Sequence, residues 1–172
     1  MAEGGFVALD RISDTVTTTS SKEASQRTSG ATTRGGVPFP RRFTHVGTDP
    51  LNELTYELRD SVITNPDGSI VFEMRGAEIP TDWSQLATDI AVSKYFRKAG
   101  INGDPKRGER SVKELVTRVA RTIREAGEKL GGYFATREDA DTFEAELTHI
   151  LVTQKGAFNS PVWFNCGLFH EY

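Results

Sequence analysis

The stretch SVITNPDGSIVFEM, residues 61–74, decides the fold class. Val62 and Ile63 on one side, and Ile70, Val71 and Phe72 on the other, flank Asn65-Pro66-Asp67-Gly68. Proline fixes φ near the value a turn's second residue needs, and glycine accepts the positive φ that closes it. Two short apolar runs around such a tetrad read as a β-hairpin near residues 61–74. Three helix-like segments follow it, so the expected class is α+β, mainly helical, with one small hairpin.

Outward from the hairpin, three segments carry helix-start signals. Asp82 and Gln85 have the spacing of a capping box ahead of Leu86, Ile90 and Tyr95. Ser111 and Glu114 repeat that spacing ahead of Leu115, Val119 and Ile123. Thr136 and Asp139 open a third helix, with Phe143, Leu147, Ile150 and Leu151 on its apolar stripe. Before the hairpin, Pro38 and Pro40 favour an extended entry that Phe39 and Phe43 anchor. Residues 1–38 are dominated by Ser, Thr and Gly and hold too little apolar material to offset the entropy of ordering, so a disordered tail is expected there. The helical body is then 39–155, and 156–172 begins a further unit.

Composition narrows the function classes. A net charge of −3 gives no electrostatic reason to expect nucleic acid or an anionic membrane as partner. The N-terminus lacks the basic flank and apolar core of a secretory signal. A single cysteine, Cys166, makes no internal disulfide, which fits a reducing cytoplasm.

Several residues invite chemical readings. Cys166 with His149 or His170 would make a thiol nucleophile only if the fold brought base and thiol together; a lone Cys beside Trp163 and Phe164 reads better as a small buried hydrophobe. Cys166, His149, His170 and Glu171 lack the paired short spacing of a structural zinc site. Lys106, Arg107 and Arg110 precede a helix but belong to no phosphate-loop pattern, and a solvated basic loop explains them. The acidic pairs Asp139/Asp141 and Glu144/Glu146 favour the dipole in the first half of their helix.

The C-terminal GAFNSPVWFNCGLFHEY, residues 156–172, is different. Gly156 enters it and Pro161 breaks it. Pro161 pushes Ser160 toward extended geometry, and its hydroxyl, the Asn159 and Asn165 amides and freed backbone N–H groups supply neutral donors backed by aromatic rings. Such a set suits a phosphate or a ribose. It equally suits a buried loop whose polar groups satisfy one another.

This stretch, with RDSVITNPDGSIVFEM (59–74), WSQLATDIAVSKYFR (83–97), ERSVKELVTRV (109–119) and GYFATREDADTFEAELTHILVTQKGAFNSPVWFN (132–165), resembles the N-terminal region of adenosylcobalamin-dependent, class II ribonucleotide reductases. The resemblance spans residues 39–172. It implies a larger enzyme whose catalytic domain is a ten-stranded α/β barrel, entered at 156–172. In that family a deoxyadenosyl radical from cobalamin generates a thiyl on a barrel cysteine, which abstracts the 3′ hydrogen of the ribonucleotide; a cysteine pair, recharged by a thioredoxin-type reductant, supplies the electrons. The resemblance also implies that Ser160, in the pattern Ser160-Pro161-Val162-Trp163-Phe164-Asn165-Cys166-Gly167, contacts the substrate phosphate, and it leaves room for a homodimer. Three cysteines are needed and the chain has one, at a variable position of the pattern, so this piece alone is expected to be inactive. The rival expectations are a free-standing interaction module that binds the intact reductase or another protein through its SPVWFN end, and a thiol enzyme using Cys166.

Overall fold

A computed structural model describes residues 35–101 and 103–168. The expected disordered tail lies outside the described residues as far as residue 34, as do His170 and Glu171. Strands β1 (Tyr56–Thr64) and β2 (Ile70–Pro80) pair antiparallel, with Tyr56 opposite Pro80 and Thr64 opposite Ile70. The hairpin is therefore longer than the 61–74 expected. Its turn is as the sequence implies: Gly68 has φ +85°, Gly68 N–H donates to Asn65 O at 2.9 Å, and Asp67 Oδ1 accepts from the Ser69 amide at 2.9 Å.

Four helical segments follow: α1 (Gln85–Ile90), α2 (Val112–Leu130), α3 (Arg137–Val152) and α4 (Ser160–Asn165). Two of the expected starts hold. Ser111 and Glu114 form a reciprocal capping box on α2, and the Thr136 hydroxyl accepts from Asp139 N–H on α3. The first helix departs from expectation. Its cap is Ser84, whose hydroxyl accepts from Ala87 N–H at 3.1 Å, while Gln85 reaches Asp60 O and Asp89 instead of closing a box with Asp82. The reason is local: Trp83 N–H turns back onto Pro80 O, so the chain is still turning at Asp82. α1 then widens into a π turn over Ala91–Tyr95, where Phe96 N–H donates to Ala91 O. Cap and π turn together rotate the buried face onto Thr88, Ala91, Val92 and Phe96, leaving Leu86 and Ile90 exposed.

The core is one cluster. Ile79 from β2, Val92 and Phe96 from the π turn, and Val112, Leu115, Val116 and Val119 from α2 meet Leu151 and Val152 of α3 and Trp163 of α4. The Trp83 indole N–H donates to Val152 O at 2.8 Å, joining the end of the hairpin to α3. Burying side chains of this size stabilises by about 1.5–3 kcal/mol each, and Trp163 is the anchor that holds short α4 in helical form. The expected α3 stripe is only half realised: Leu151 is buried, and Phe143, Leu147 and Ile150 are partly covered. Among the described residues no helix is long and apolar enough to cross a membrane.

The entry segment lies along α3. Val37 bridges Phe134, Phe39 packs against Tyr133, Phe134 and Phe143, and Phe43 stacks on the His149 ring at 5.4 Å. Glu146 gathers this segment: one carboxylate accepts from the backbone N–H groups of Arg42, Phe43 and Thr44 and from the Thr44 hydroxyl, at 2.7–3.1 Å.

Candidate functional site around Ser160

α4 begins at Ser160, and the extended residue before it is Asn159, with φ −69° and ψ 160°. Pro161 therefore starts a helix where a break was expected, because its fixed φ and missing N–H suit the first turn. Ser160 is half-buried, and its Oγ lies 3.2 Å from the Tyr95 hydroxyl at the end of the π turn. The Tyr95 ring stacks on Trp163, with centroids 5.8 Å apart and planes at 20°, and tilts against Phe164 at 5.4 Å. Trp163 is itself fixed, since its indole N–H donates to Phe158 O at 2.9 Å. A hydroxyl on α4 thus faces a phenol whose position is set by two aromatic neighbours on the same short helix.

Behind this pair lies a buried ion pair. Arg118 of α2 bonds Glu109 through Nε at 2.7 Å, with the two side chains 9% and 2% exposed. The same guanidinium donates to Cys166 O at 2.5 Å and to Trp163 O and Tyr95 O at 3.3 Å. Glu109 in turn accepts from Arg97 N–H at 2.7 Å. One fork of donors therefore collects the carbonyls of α4 and of the π turn and holds them against α2. Gly167 completes the fit: it has φ +82°, and a Cβ there would meet Arg118 Cγ and Thr122 Oγ1 at 2.6 Å. Beside the knot a cleft of about 340 Å³ is lined by Lys94, Tyr95, Lys98 and Phe164.

The other sequence-derived candidates are not brought to Ser160. The Asn165 amide turns onto Pro161 O of its own helix, and the exposed Asn159 makes no capping bond. Cys166 packs against the core, with Sγ 3.9 Å from Val119 O. Burial pushes its thiol up from the ordinary range, against a smaller opposite pull from Arg118, so a thiolate is disfavoured. His149 is engaged by Phe43 and by Lys155 Nζ at 2.8 Å from Nε2. Among the described residues no three His, Cys, Asp or Glu cluster as metal ligands. In the basic loop Arg107 faces Glu114 at 3.6 Å and Arg110 donates to Arg75 O, as a solvated loop would. The acidic pairs are structural as well: Asp139 accepts from the Thr136 hydroxyl and from Phe39 N–H, while Asp141 and Glu144 bind Arg124.

Sequence reasoning missed Tyr95, Arg118 and Glu109. An arginine at the edge of an otherwise apolar stripe, next to Val119 and three residues after Leu115, was the available signal.

The sequence matches the family model described as class II vitamin B12-dependent ribonucleotide reductase over residues 57–154. It is 46% identical over 151 residues to the vitamin B12-dependent ribonucleotide reductase of Streptomyces clavuligerus, covering 87% of this chain and 15% of that protein. The protein of the same name from Rhodopirellula baltica is 44% identical over 143 residues, covering 81% of this chain and 13% of its own length. That of Bradyrhizobium diazoefficiens is 37% identical over 162 residues, covering 77% and 13%. The chain spans about one seventh of the length of these relatives. From the match over residues 57–154, it belongs to the family of class II vitamin B12-dependent ribonucleotide reductases.

Proposed function

We propose that this chain is the N-terminal part of an enzyme that reduces ribonucleotides to deoxyribonucleotides for DNA synthesis and repair, and that Ser160 binds the substrate phosphate. The observation that carries the reading is the placement of the Ser160 hydroxyl: half-buried, opposite Tyr95, on a segment fixed by Arg118. A hydroxyl so held donates to a phosphate oxygen as a charge-assisted bond, worth roughly twice a neutral one. In the complete enzyme adenosylcobalamin supplies the initiating radical and a thioredoxin-type reductant the electrons. The described residues do not themselves fit a cobalamin. His149 is tied to Phe43 and Lys155, His45 is exposed, and Cys166 is held as a thiol, so no step of the chemistry is carried by these residues. The substrate is a ribonucleoside di- or triphosphate, the setting is the cytoplasm, a homodimer is compatible with the reading, and neither nucleic acid nor a membrane is a partner. Alone, with one cysteine, the 172-residue piece lacks the dithiol the reduction needs.

The test is Ser160→Ala in the complete reductase. Substrate binding should weaken while cobalamin binding stays intact; an unchanged Michaelis constant and turnover would sink the assignment.

A second reading, an interaction module, is favoured by one observation. An apolar cleft of about 210 Å³ lined by Trp83, Ile90, Tyr95, Leu151 and Trp163 opens near exposed Leu86 and Phe164. Copurification of the 172-residue chain with intact reductase would support it. A chain that stays alone in that mixture would remove it.

A further inference from the structure

We infer that Tyr95 is a positioning residue for Ser160: its phenol donates to Ser160 Oγ and so directs the serine proton toward the substrate phosphate. The inference rests on the reading of Ser160 given above and adds a residue to it. The distance of 3.2 Å fits a hydrogen bond in either direction. Stoichiometry settles the direction once a phosphate is present. A serine hydroxyl has one proton and two lone pairs. If that proton goes to the phosphate, Tyr95 must be the donor, and the chain runs from phenol to serine to phosphate oxygen. Hydrogen bonds in series polarise one another, so the phenol strengthens the serine as a donor.

Three features make Tyr95 suited to this. The π turn over Ala91–Tyr95 ends at this residue, and such wide turns are frequent at functional sites. The Tyr95 ring is held by Trp163 and Phe164, both on the helix that carries Ser160, so ring and hydroxyl move as one unit. Tyr95 O is also gripped by Arg118 at 3.3 Å, which fixes its backbone against α2. Ser160 Oγ is the bonding partner found for the phenol.

The experiment is a double-mutant cycle in the complete reductase, reading the equilibrium Kd of the ribonucleotide substrate and of the corresponding nucleoside without phosphate. Tyr95→Phe keeps the ring stack and removes only the hydroxyl. It should raise the nucleotide Kd about 3- to 10-fold, the loss of one neutral hydrogen bond, and leave the nucleoside Kd unchanged. Ser160→Ala should raise the nucleotide Kd tenfold or more, and adding Tyr95→Phe to it should cost nothing further. A nucleotide Kd unmoved by Tyr95→Phe but raised by Ser160→Ala overturns the inference and leaves the serine reading standing. Additive effects overturn it too, because Tyr95 would then act independently of Ser160. Equal losses for nucleotide and nucleoside overturn it in favour of packing alone. No effect of Ser160→Ala brings down the serine reading itself. If Tyr95→Phe does not fold, a ring-fluorinated tyrosine at position 95 keeps size and hydroxyl and donates more strongly. Nucleotide Kd should then fall, and an unchanged value overturns the proposal.

Discussion

Two irregular segments are clamped to the helices of this protein, and in each a single charged side chain does most of the holding. At the entry, Glu146 of α3 collects three successive backbone N–H groups, from Arg42 to Thr44. At the other end, Arg118 of α2 collects three backbone carbonyls, from Tyr95, Trp163 and Cys166. The chemistry is complementary: an anion gathers donors, a cation gathers acceptors. The difference is the surroundings. Arg118 is paired with Glu109 out of water, whereas two of the three amides bound by Glu146, those of Arg42 and Phe43, belong to exposed residues. A buried clamp is costly to break because its partner is left charged without water, and an exposed one yields to solvent. The segment that carries Ser160 has the buried clamp, which suits the proposed role of its hydroxyl.

The comparison predicts a ranking. Arg118→Met should have the largest effect, because it strands the Glu109 carboxylate and three carbonyls together. Breaking a buried pair from one side costs about 3–5 kcal/mol, which in a protein of this size corresponds to a fall in Tm on the order of 10 °C. Urea unfolding of the purified chain measures it. A cost no greater than that of Glu146→Gln would erase the distinction between the two clamps.

Gly167→Ala comes next. The position combines a left-handed φ of +82° with a neighbouring Cγ at 2.6 Å from where the new methyl would sit. Strain at φ alone is about 1–2 kcal/mol, and the clash must push Arg118 off its carbonyls. Loss of about 2 kcal/mol, with faster amide exchange confined to α4 and the residues after it, is the expected result. Uniform exchange across the chain would mean that Gly167 is not coupled to the clamp.

Much of this frame was legible in the sequence, and the reasons are local. The Asn65–Ser69 turn and the caps at Ser111 and Thr136 need only near neighbours, so short-range chemistry identifies them. The first helix was misjudged because two serviceable caps, Asp82 and Ser84, lie two residues apart, and only the return of Trp83 N–H onto Pro80 O decides between them. A π turn has no periodicity signature over five residues, so the exposure of Leu86 and Ile90 was invisible. Ser160 was singled out by resemblance. Its partner was not, since Tyr95 is 65 residues away and the contact exists only once α4 packs on the π turn. Arg118 and Glu109 went unseen for the same reason: a charge at a stripe's edge reads as solvated until the chain that covers it is in place.

Glu146→Gln should cost about 1 kcal/mol, an exposed-clamp value, and its mark should be local: faster amide exchange at Arg42, Phe43 and Thr44 with α4 unaffected. The same segment should loosen in two steps as pH falls, the smallest effect expected. Burial and the neighbouring Lys155 hold the His149 imidazole below its ordinary value of 6.5, so the folded protein prefers it neutral. Its contribution is therefore complete above pH 6.5 and declines as pH drops below that value, when the unfolded chain takes up a proton that the folded one resists. Glu146 is subject to burial, which alone would raise it, but the Arg42 amide, the Thr44 hydroxyl and the other N–H groups outweigh this and hold it below 4.5. Its depressed value means the contribution is present above pH 4.5 and is lost as pH falls further through the folded value. Protection factors of the Arg42–Thr44 amides, which divide out the intrinsic slowing of exchange at lower pH, should show a first drop below pH 6.5, absent in His149→Phe, and a second below 4.5, absent in Glu146→Gln. His149 and Glu146 bond the entry segment and Lys155 rather than α4, so protection at Cys166 should stay flat through the first step. If α4 loosened together with the entry segment at the first step, the two clamps would be parts of one cooperative unit and the contrast between them would fail.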